Sequence, residues 1–520
     1  MTSAAIRPTL RPAIRPAGGP RRWASPLAAG LCAATLLLAG CGSPVVNPVS
    51  GRAERSVMDE ASEIAEGKKA HAQVLAEYGR YDNAALQAYV DRIGQQLARQ
   101  SHRAHLSWTF TLLDSPEVNA FALPGGYVYV TRGILAYLDN EAELAGVMSH
   151  EIGHVTARHG AQRATRQQQA GLGVLAATVL GAVLESAGVG GATDLVGAVS
   201  QGVASGYVAR YSREQELQAD RLGAEYLARN RYNPQNMVEV IAVLKSQERF
   251  AADEARAEGR APPAGANWLS SHPSNDQRLA DIRQIAAGYS GDYADDGRAR
   301  YLQAIAGMVY GESRGQGVTR GREFLHEELG IALSAAPGWS IQNSREAISV
   351  INGAADAALV VRLLPAEAGS SHEQIVQKLV QPVEGRFERR SLNGLAATQF
   401  VGLRRDAQGQ THAVRLLLVS GPGQRNYLLS RSAQNPAALQ RAAAGLAEAE
   451  ATFRPLSVAE RAAARPWQLR TVALPRGGFA ELARQSPLPA PAEAQLRLLN
   501  QAYGDAAPPL RPGQLVKVVQ

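Results

Sequence analysis

The apolar positions change their period near residue 318, and that change divides the chain. From about Ser56 to Ile285 they recur every three or four residues, the spacing of helices with one buried face. One short strand pair interrupts them at "ALPGGYVYVTRG", where Pro124, Gly125 and Gly126 make a turn and "YVYVT" alternates like an edge strand. "GYSGDYADDGR" and the Gly-rich "GESRGQGVTRG" then bracket a helix and read as a linker over 291–317. Beyond it, "LGIALSAAPGWSI", "AALVVRLLP" and "HAVRLLLVS" are short alternating or β-branched runs, with helical "HEQIVQKLV" and "PAALQRAAAGLAEAEATF" among them. The pattern predicts an α+β chain: a mainly helical domain over 56–290 with a short edge-strand sheet, a small α/β sandwich over 318–454, and a terminal module over 455–520.

Two of the helical stretches carry chemistry. In "DNEAELAGVMSHEIGHVTARHG", Asn140 with Glu143 three later matches a capping box, Leu144, Val147, Met148, Ile152 and Val155 keep helical spacing, and Gly160 stands where the helix should end. On such a helix His150 and His154 lie about 40° apart, so both rings reach one ion, while Glu151 points about 100° round from His150, into the apolar arc. A carboxylate there is costly unless a cation or a donor sits beside it, and zinc with its water is such a partner. The second helix, "YSREQELQADRLGAEYLARN", is capped by Ser212 with Gln215 three later. Glu216 and Asp220 share one face there, suited to a third ligand and an acceptor for a histidine ring N–H.

Two bland readings stay open at this point: a pair of core histidines with a buried acid, and an ordinary solvated acidic face. His159 lies about 140° from His154 on the wheel, so it reads as a cation near the helix's negative end and not as a ligand. "HEELG" at His326 lacks the second histidine and lies between strand signals.

Composition changes the picture mainly at the start of the chain. Arg7, Arg11, Arg15, Arg21 and Arg22 form a basic leader without an acid, followed by an apolar run and "LAGC". Residues 1–40 read as a secretory signal with a lipobox, Cys41 as the lipidated first residue, and 41–55 as a tether. Gly42, not an aspartate, fits retention at the periplasmic face of a Gram-negative outer membrane. The five leader arginines carry most of the formal charge of +7, so the remainder gives no warrant for nucleic-acid binding. The other cysteine, Cys32, falls inside the signal, which excludes thiol catalysis and disulfides in the exported part. "GLGVLAATVLGAVL", from Gly171 to Leu184, is too short to span a membrane, and its glycines follow a polar run instead of the strand that a dinucleotide fingerprint needs.

"HEIGHVTARH" followed by "REQELQADRLGAEYL", with "LQAYVDRIGQQLA" and "DSPEVNAFALPGGYVYVTRGIL" upstream, resembles the gluzincin metallopeptidase family of the CAAX prenyl endopeptidase, HtpX and the OMA-type proteases, in its exported bacterial branch. The resemblance covers about Ser56 to Ile285 and implies a zincin-type domain with one Zn2+ per chain. By it, His150, His154 and Glu216 are the ligands, Glu151 the general base and Asp220 the acid behind a histidine. In "SSHPSNDQRL", His272 matches a histidine that fills the open zinc position in a latent state, and Arg278 an arginine near the oxyanion. Asn119, Ala122, Gly125, Gly126 and Tyr127 mark a strand edge that binds extended peptide by main-chain hydrogen bonds.

The tetratricopeptide repeats of that branch are missing. In their place the terminal module resembles LysM, whose usual target is peptidoglycan, although "RGG" at Arg476 to Gly478 replaces its opening "GDT". The expected protein is a lipid-anchored periplasmic zinc endopeptidase for unfolded or misassembled envelope proteins. The alternatives are a mostly latent peptidase acting as a chaperone or assembly factor for outer-membrane proteins, and a peptidoglycan-associated scaffold.

Overall fold

The computed structural model describes residues 43–166, 168, 211–257, 259, 272, 276–293, 296–344, 347–405, 409–504 and 509–520. The leader with Cys32 and Cys41, and the apolar run from Gly171 to Leu184, lie outside the described residues. Among the described residues no helix is long and apolar enough to cross a membrane. Helices and sheets mix throughout, an α+β arrangement.

The first part begins with two short strands, Ser43–Val46 and Ala53–Ser56, followed by helices α1 (Glu60–Tyr78) and α2 (Ala84–Arg99). Asn83 caps α2 by accepting from the Leu86 N–H, and Leu86, Val90, Ile93 and Leu97 form its buried stripe. Three strands follow: β1 (Thr109–Leu113), β2 (Ala120–Leu123) and β3 (Tyr127–Thr131). Their order is β1-β3-β2, with β1 parallel and β2 antiparallel to β3. This corrects the expectation that "YVYVT" is an edge: β3 is central, β2 is the edge beside the site, and β1 had not been foreseen.

After the short helix α3 (Arg132–Tyr137) comes α4 (Glu141–Thr156), with Asn140 accepting from the Glu143 N–H as its cap. All sixteen residues of α4 are buried, so it runs through the core with no exposed face. Its end also differs from expectation. Gly160 does not stop it: the helix closes at Thr156, and Arg158 adopts the left-handed φ of 61°. Then come α5 (Arg213–Arg229), α6 (Gln235–Ala257), α7 (Asp276–Ala287), α8 (Arg298–Ile305) and the two-residue strand β4 (Val309–Tyr310). Tyr301, Leu302, Ile305 and Met308 bury into the same core as α2 and α4.

Strands β5 (Val318–Arg320), β6 (Glu323–His326) and β7 (Ile331–Ser334) form a small antiparallel sheet. Beside it in the chain comes a seven-stranded antiparallel sheet: β8 (Ser340–Asn343), β9 (Ile348–Ile351), β10 (Ala357–Leu363), β11 (Pro382–Leu392), β12 (Leu395–Arg405), β13 (Thr411–Ser420) and β14 (Asn426–Ala433). Its spatial order is β8-β9-β10-β14-β13-β12-β11. The alternation on β13 sends Leu417 and Val419 to a cluster with Leu446 and Ala449, and Leu416 and Leu418 to another with Ile375 and Val376. The helices His372–Leu379 and Ala443–Ala451 therefore lie against opposite faces of this sheet.

The chain ends in strand β15 (Trp467–Ala473), helices α9 (Gly478–Ala483) and α10 (Ala492–Leu499), and strand β16 (Leu515–Val519), which pairs antiparallel with β15. β15 also pairs with β4. Leu469, Phe479, Leu496 and Val516 belong to the core cluster that contains α4, so this segment is packed into the first part.

Candidate metal centre

Two glycines let α4 and α5 approach. A Cβ on Gly153 would lie 2.9 Å from the Ala219 carbonyl oxygen, and one on Gly223 would lie 3.2 Å from the His150 nitrogen. At that separation His150 and His154, one turn apart on α4, face Glu216 on α5.

The donor atoms converge. His150 Nε2 lies 3.0 Å from His154 Nε2 and 3.6 Å from Glu216 Oε2, and His154 Nε2 lies 3.5 Å from Glu216 Oε1. His272 adds its Nδ1 at 3.2 Å from His150 Nε2 and 3.0 Å from Glu216 Oε1. All four side chains are buried. Ligand atoms around a tetrahedral zinc at its usual bond lengths stand about 3.3 Å apart, so this set of three imidazoles and one carboxylate fits a zinc ion.

Behind the donors stands a charged frame. Asp220 Oδ1 lies 2.9 Å from His150 Nδ1. Arg278 holds both oxygens of Asp220 at 2.9 Å, Glu216 Oε2 at 2.8 Å and the His272 carbonyl at 3.1 Å. Burial pushes the Asp220 carboxyl up, but Arg278 outweighs it and brings the group down to about 2. Burial likewise raises Glu216, and His272 with Arg278 reverses this. Burial lowers His272, and the facing Glu216 and Glu151 more than restore it. For His154 burial acts with neighbouring His150 and His159 and holds the ring well below its ordinary value, in the neutral form that binds a metal. Glu151 is fully buried, its Oε1 3.5 Å from His272 Nε2.

The other expected positions divide. Edge strand β2 brings Ala122 and Leu123 to a narrow cleft shared with His154 and Val155. Asn119 stands just before β2, and its Oδ1 is buried with no hydrogen-bond partner among the described residues. Gly125 and Gly126 take left-handed φ values of 82° and 99°. On the side where a Cβ would stand the space is filled: it would meet Ile64 Cα at 2.7 Å and the Ser107 carbonyl oxygen at 3.1 Å, so this turn packs against the protein's own chain. Tyr127 stacks on His71 at 4.9 Å. His326 belongs to β6 and is not in the donor group.

His159 corrects its expectation. It does not stand exposed at the helix end but is a fully buried ring, 2.8 Å from His154 Nδ1, because the turn at Arg158 folds it back. Tyr211 was missed: its ring stacks on His154 at 3.9 Å. Its one sequence signal is its place immediately before the capping residue Ser212.

An HExxH helix facing a second helix that supplies a glutamate defines a gluzincin-type metal centre. Residues 84–286 match the model of peptidase family M48. The β-barrel assembly-enhancing protease of Yersinia pestis is 32% identical over 205 residues, 39% of this chain and 39% of that protein. The Escherichia coli K12 protein of the same name is 30% identical over 243 residues, 46% of this chain and 47% of the relative. The mitochondrial metalloendopeptidase OMA1 of Schizosaccharomyces pombe is 30% identical over 244 residues, 46% of this chain and 65% of the relative. The chain thus spans less than half the length of these two bacterial relatives. A solved cyanobacterial PsbP structure from Synechocystis matches 27% of the chain at 12% identity, with a TM-score of 0.19.

Proposed function

We propose that the protein is a zinc endopeptidase of the bacterial envelope that cleaves unfolded or misassembled envelope proteins. The observation that carries this is the convergence of His150, His154 and Glu216 beside buried Glu151. A zinc ion held there supplies Lewis-acid chemistry: it polarises a peptide carbonyl and acidifies water. Glu151 then serves as the base, taking a proton from the attacking water and passing it to the leaving amine. Asp220 accepts the His150 Nδ1–H and so leaves Nε2 its lone pair, while Arg278 keeps Asp220 and Glu216 ionised. The edge of β2 offers main-chain pairing to an extended peptide, and the Asn119 side-chain Oδ1 beside it is a hydrogen-bond acceptor. The envelope substrate class is supported by relatives whose name speaks of β-barrel assembly, and by the lipobox reading of Cys41, which implies an anchor at the periplasmic face of the outer membrane.

His272 favours a second layer to this reading. A catalytic zinc keeps a position open, and a fourth protein donor closes it. With His272 in place the centre is latent, and its withdrawal admits substrate; a protein resting there also suits an assembly factor that cuts rarely. For the remainder we propose an α/β sandwich over 318–454 and a LysM-like module over 455–520. The strand–helix–helix–strand order of β15 to β16 supports the latter, and its burial against the core of α4 supports a structural cap over a glycan binder.

The test is zinc content together with digestion of casein and an unfolded outer-membrane protein. Wild type, Glu151→Gln and His272→Ala should each bind one zinc. Glu151→Gln should lose cleavage by about a hundredfold or more, and His272→Ala should exceed wild type. Zinc-loaded protein that cleaves nothing even as His272→Ala, or a Glu151→Gln that cleaves like wild type, would sink the reading.

A further inference from the structure

The third histidine of "HEIGHVTARH", His159, is no member of the donor set, yet it is buried against it. His159 Nδ1 lies 2.8 Å from His154 Nδ1, and His159 Nε2 lies 3.1 Å from Gln218 Oε1. Gln218 stands two residues after Glu216 on α5, so this chain of contacts ties the two donor-bearing helices together behind the site.

Proton positions along it follow from the chemistry of the rings. His154 presents Nε2 to the donor cluster, so that nitrogen keeps its lone pair for the ion and the ring proton sits on Nδ1. The His154 Nδ1–H then donates to His159 Nδ1, which has to be bare. His159 carries its own proton on Nε2 and donates it to the Gln218 oxygen. A cationic His159 does not fit, because two N–H groups would then face each other across 2.8 Å.

We propose that His159 is a positioning residue for the metal centre: a neutral acceptor that fixes the tautomer and orientation of His154, and is itself fixed by Gln218. The two histidine ligands are thereby backed differently, His150 by the carboxylate of Asp220 and His154 by an uncharged ring. A second carboxylate behind the ion would add to Glu216, Glu151 and Asp220 and weaken its Lewis acidity. This inference rests on the metal site and not on what the site cleaves.

Zinc affinity of the full-length chain, read by competition with a chromophoric chelator, tests it. His159→Leu, which removes the acceptor, should lower affinity roughly 10–100-fold. His159→Asn, which keeps an oxygen near the place of Nδ1, should recover most of that loss, and Gln218→Leu should show a smaller drop of the same kind. A residue that only fills space would lower the melting temperature of the metal-free chain in both His159 variants and leave their zinc affinities alike. A folded His159→Leu that binds zinc within about twofold of wild type overturns the proposal. Should that variant not fold, imidazole ¹⁵N spectra of zinc-loaded wild type decide: a bare Nδ1 and a protonated Nε2 on His159 support it, and a protonated Nδ1 overturns it. Wild type that takes up no zinc would overturn the metal reading itself, a different failure from equal affinity in the variants.

Discussion

At Asp220 burial and charge oppose each other, and charge wins: Arg278 on both oxygens brings the carboxyl to about 2, so it is an anion wherever the histidines are free to bind metal. Asp220→Ala removes two things at once, the acceptor for His150 Nδ1–H and one of the two acids around Arg278. Breaking a buried pair costs roughly 3–5 kcal/mol, less here because Glu216 still faces the guanidinium. Losing the acceptor lowers metal affinity roughly 10–100-fold. Asp220→Ala is therefore expected to melt several degrees lower and bind zinc at least about tenfold more weakly, with Asp220→Asn in between. Chelator competition at wild-type strength in Asp220→Ala would mean that His150 needs no support. This group was legible in the sequence, since spacings of three and four convert residue type into direction on a helix. His159 was not: the wheel carried the helix on to Gly160, whereas the chain breaks at Arg158, and no periodicity marks a single left-handed residue.

Between elements, the distance from α4 to α5 sets the size of the donor cluster, and Gly153 sets that distance. A Cβ there meets the Ala219 carbonyl at 2.9 Å and its Cα at 3.2 Å; backbone atoms cannot swing aside, so the helices must separate by a few tenths of an ångström. Alanine favours a helix over glycine by about 1 kcal/mol, while overpacking a tight contact costs about 1–3 kcal/mol, so packing decides the sign. Gly153→Ala should melt a few degrees lower and bind zinc more weakly, because His154 and Glu216 move apart. A higher melting temperature with unchanged zinc affinity would show that the approach of these helices is slack. The capped starts of both helices were readable from Asn140 and Ser212, local signals that need no neighbour. The sheet was readable only in part. Alternation in "YVYVT" identifies a strand but carries no record of its partners, so its central place, and the parallel pairing with β1, came from packing that spans the segment between them.

Across the whole molecule, the terminal segment is built into the metal domain at the point where the HExxH helix begins. Lys517 of β16 is buried and donates to the Ala136 and Leu138 carbonyls at the end of α3, at 2.9 and 2.6 Å, and Gln501 donates to Glu143 Oε2 in the first turn of α4 at 2.8 Å. None of this was legible in the sequence, because glycine-rich stretches mark boundaries in the chain and say nothing about which surfaces meet afterwards. The junction has a consequence for stability against pH. Burial, with Asp139 beside it, raises Glu143 to about 8, and burial lowers Lys517 to about 8. A raised carboxyl keeps in the folded chain a proton that the unfolded chain has released, so its contribution is full below about 4.5 and is lost as pH rises toward 8. The depressed lysine acts the other way: its contribution is full above 10.5 and is lost as pH falls toward 8, so the junction is weakest near pH 8. Glu143→Gln mimics the protonated acid and removes the lower branch. The stability of wild type relative to Glu143→Gln should therefore fall between pH 5 and pH 8, by about 1 kcal/mol or more for even one unit of retained shift, and paired thermal melts across that range would read it. A difference that stays flat from pH 5 to pH 8 would show that Glu143 is ionised throughout, and that Gln501 and the Asp139 N–H satisfy it as an anion.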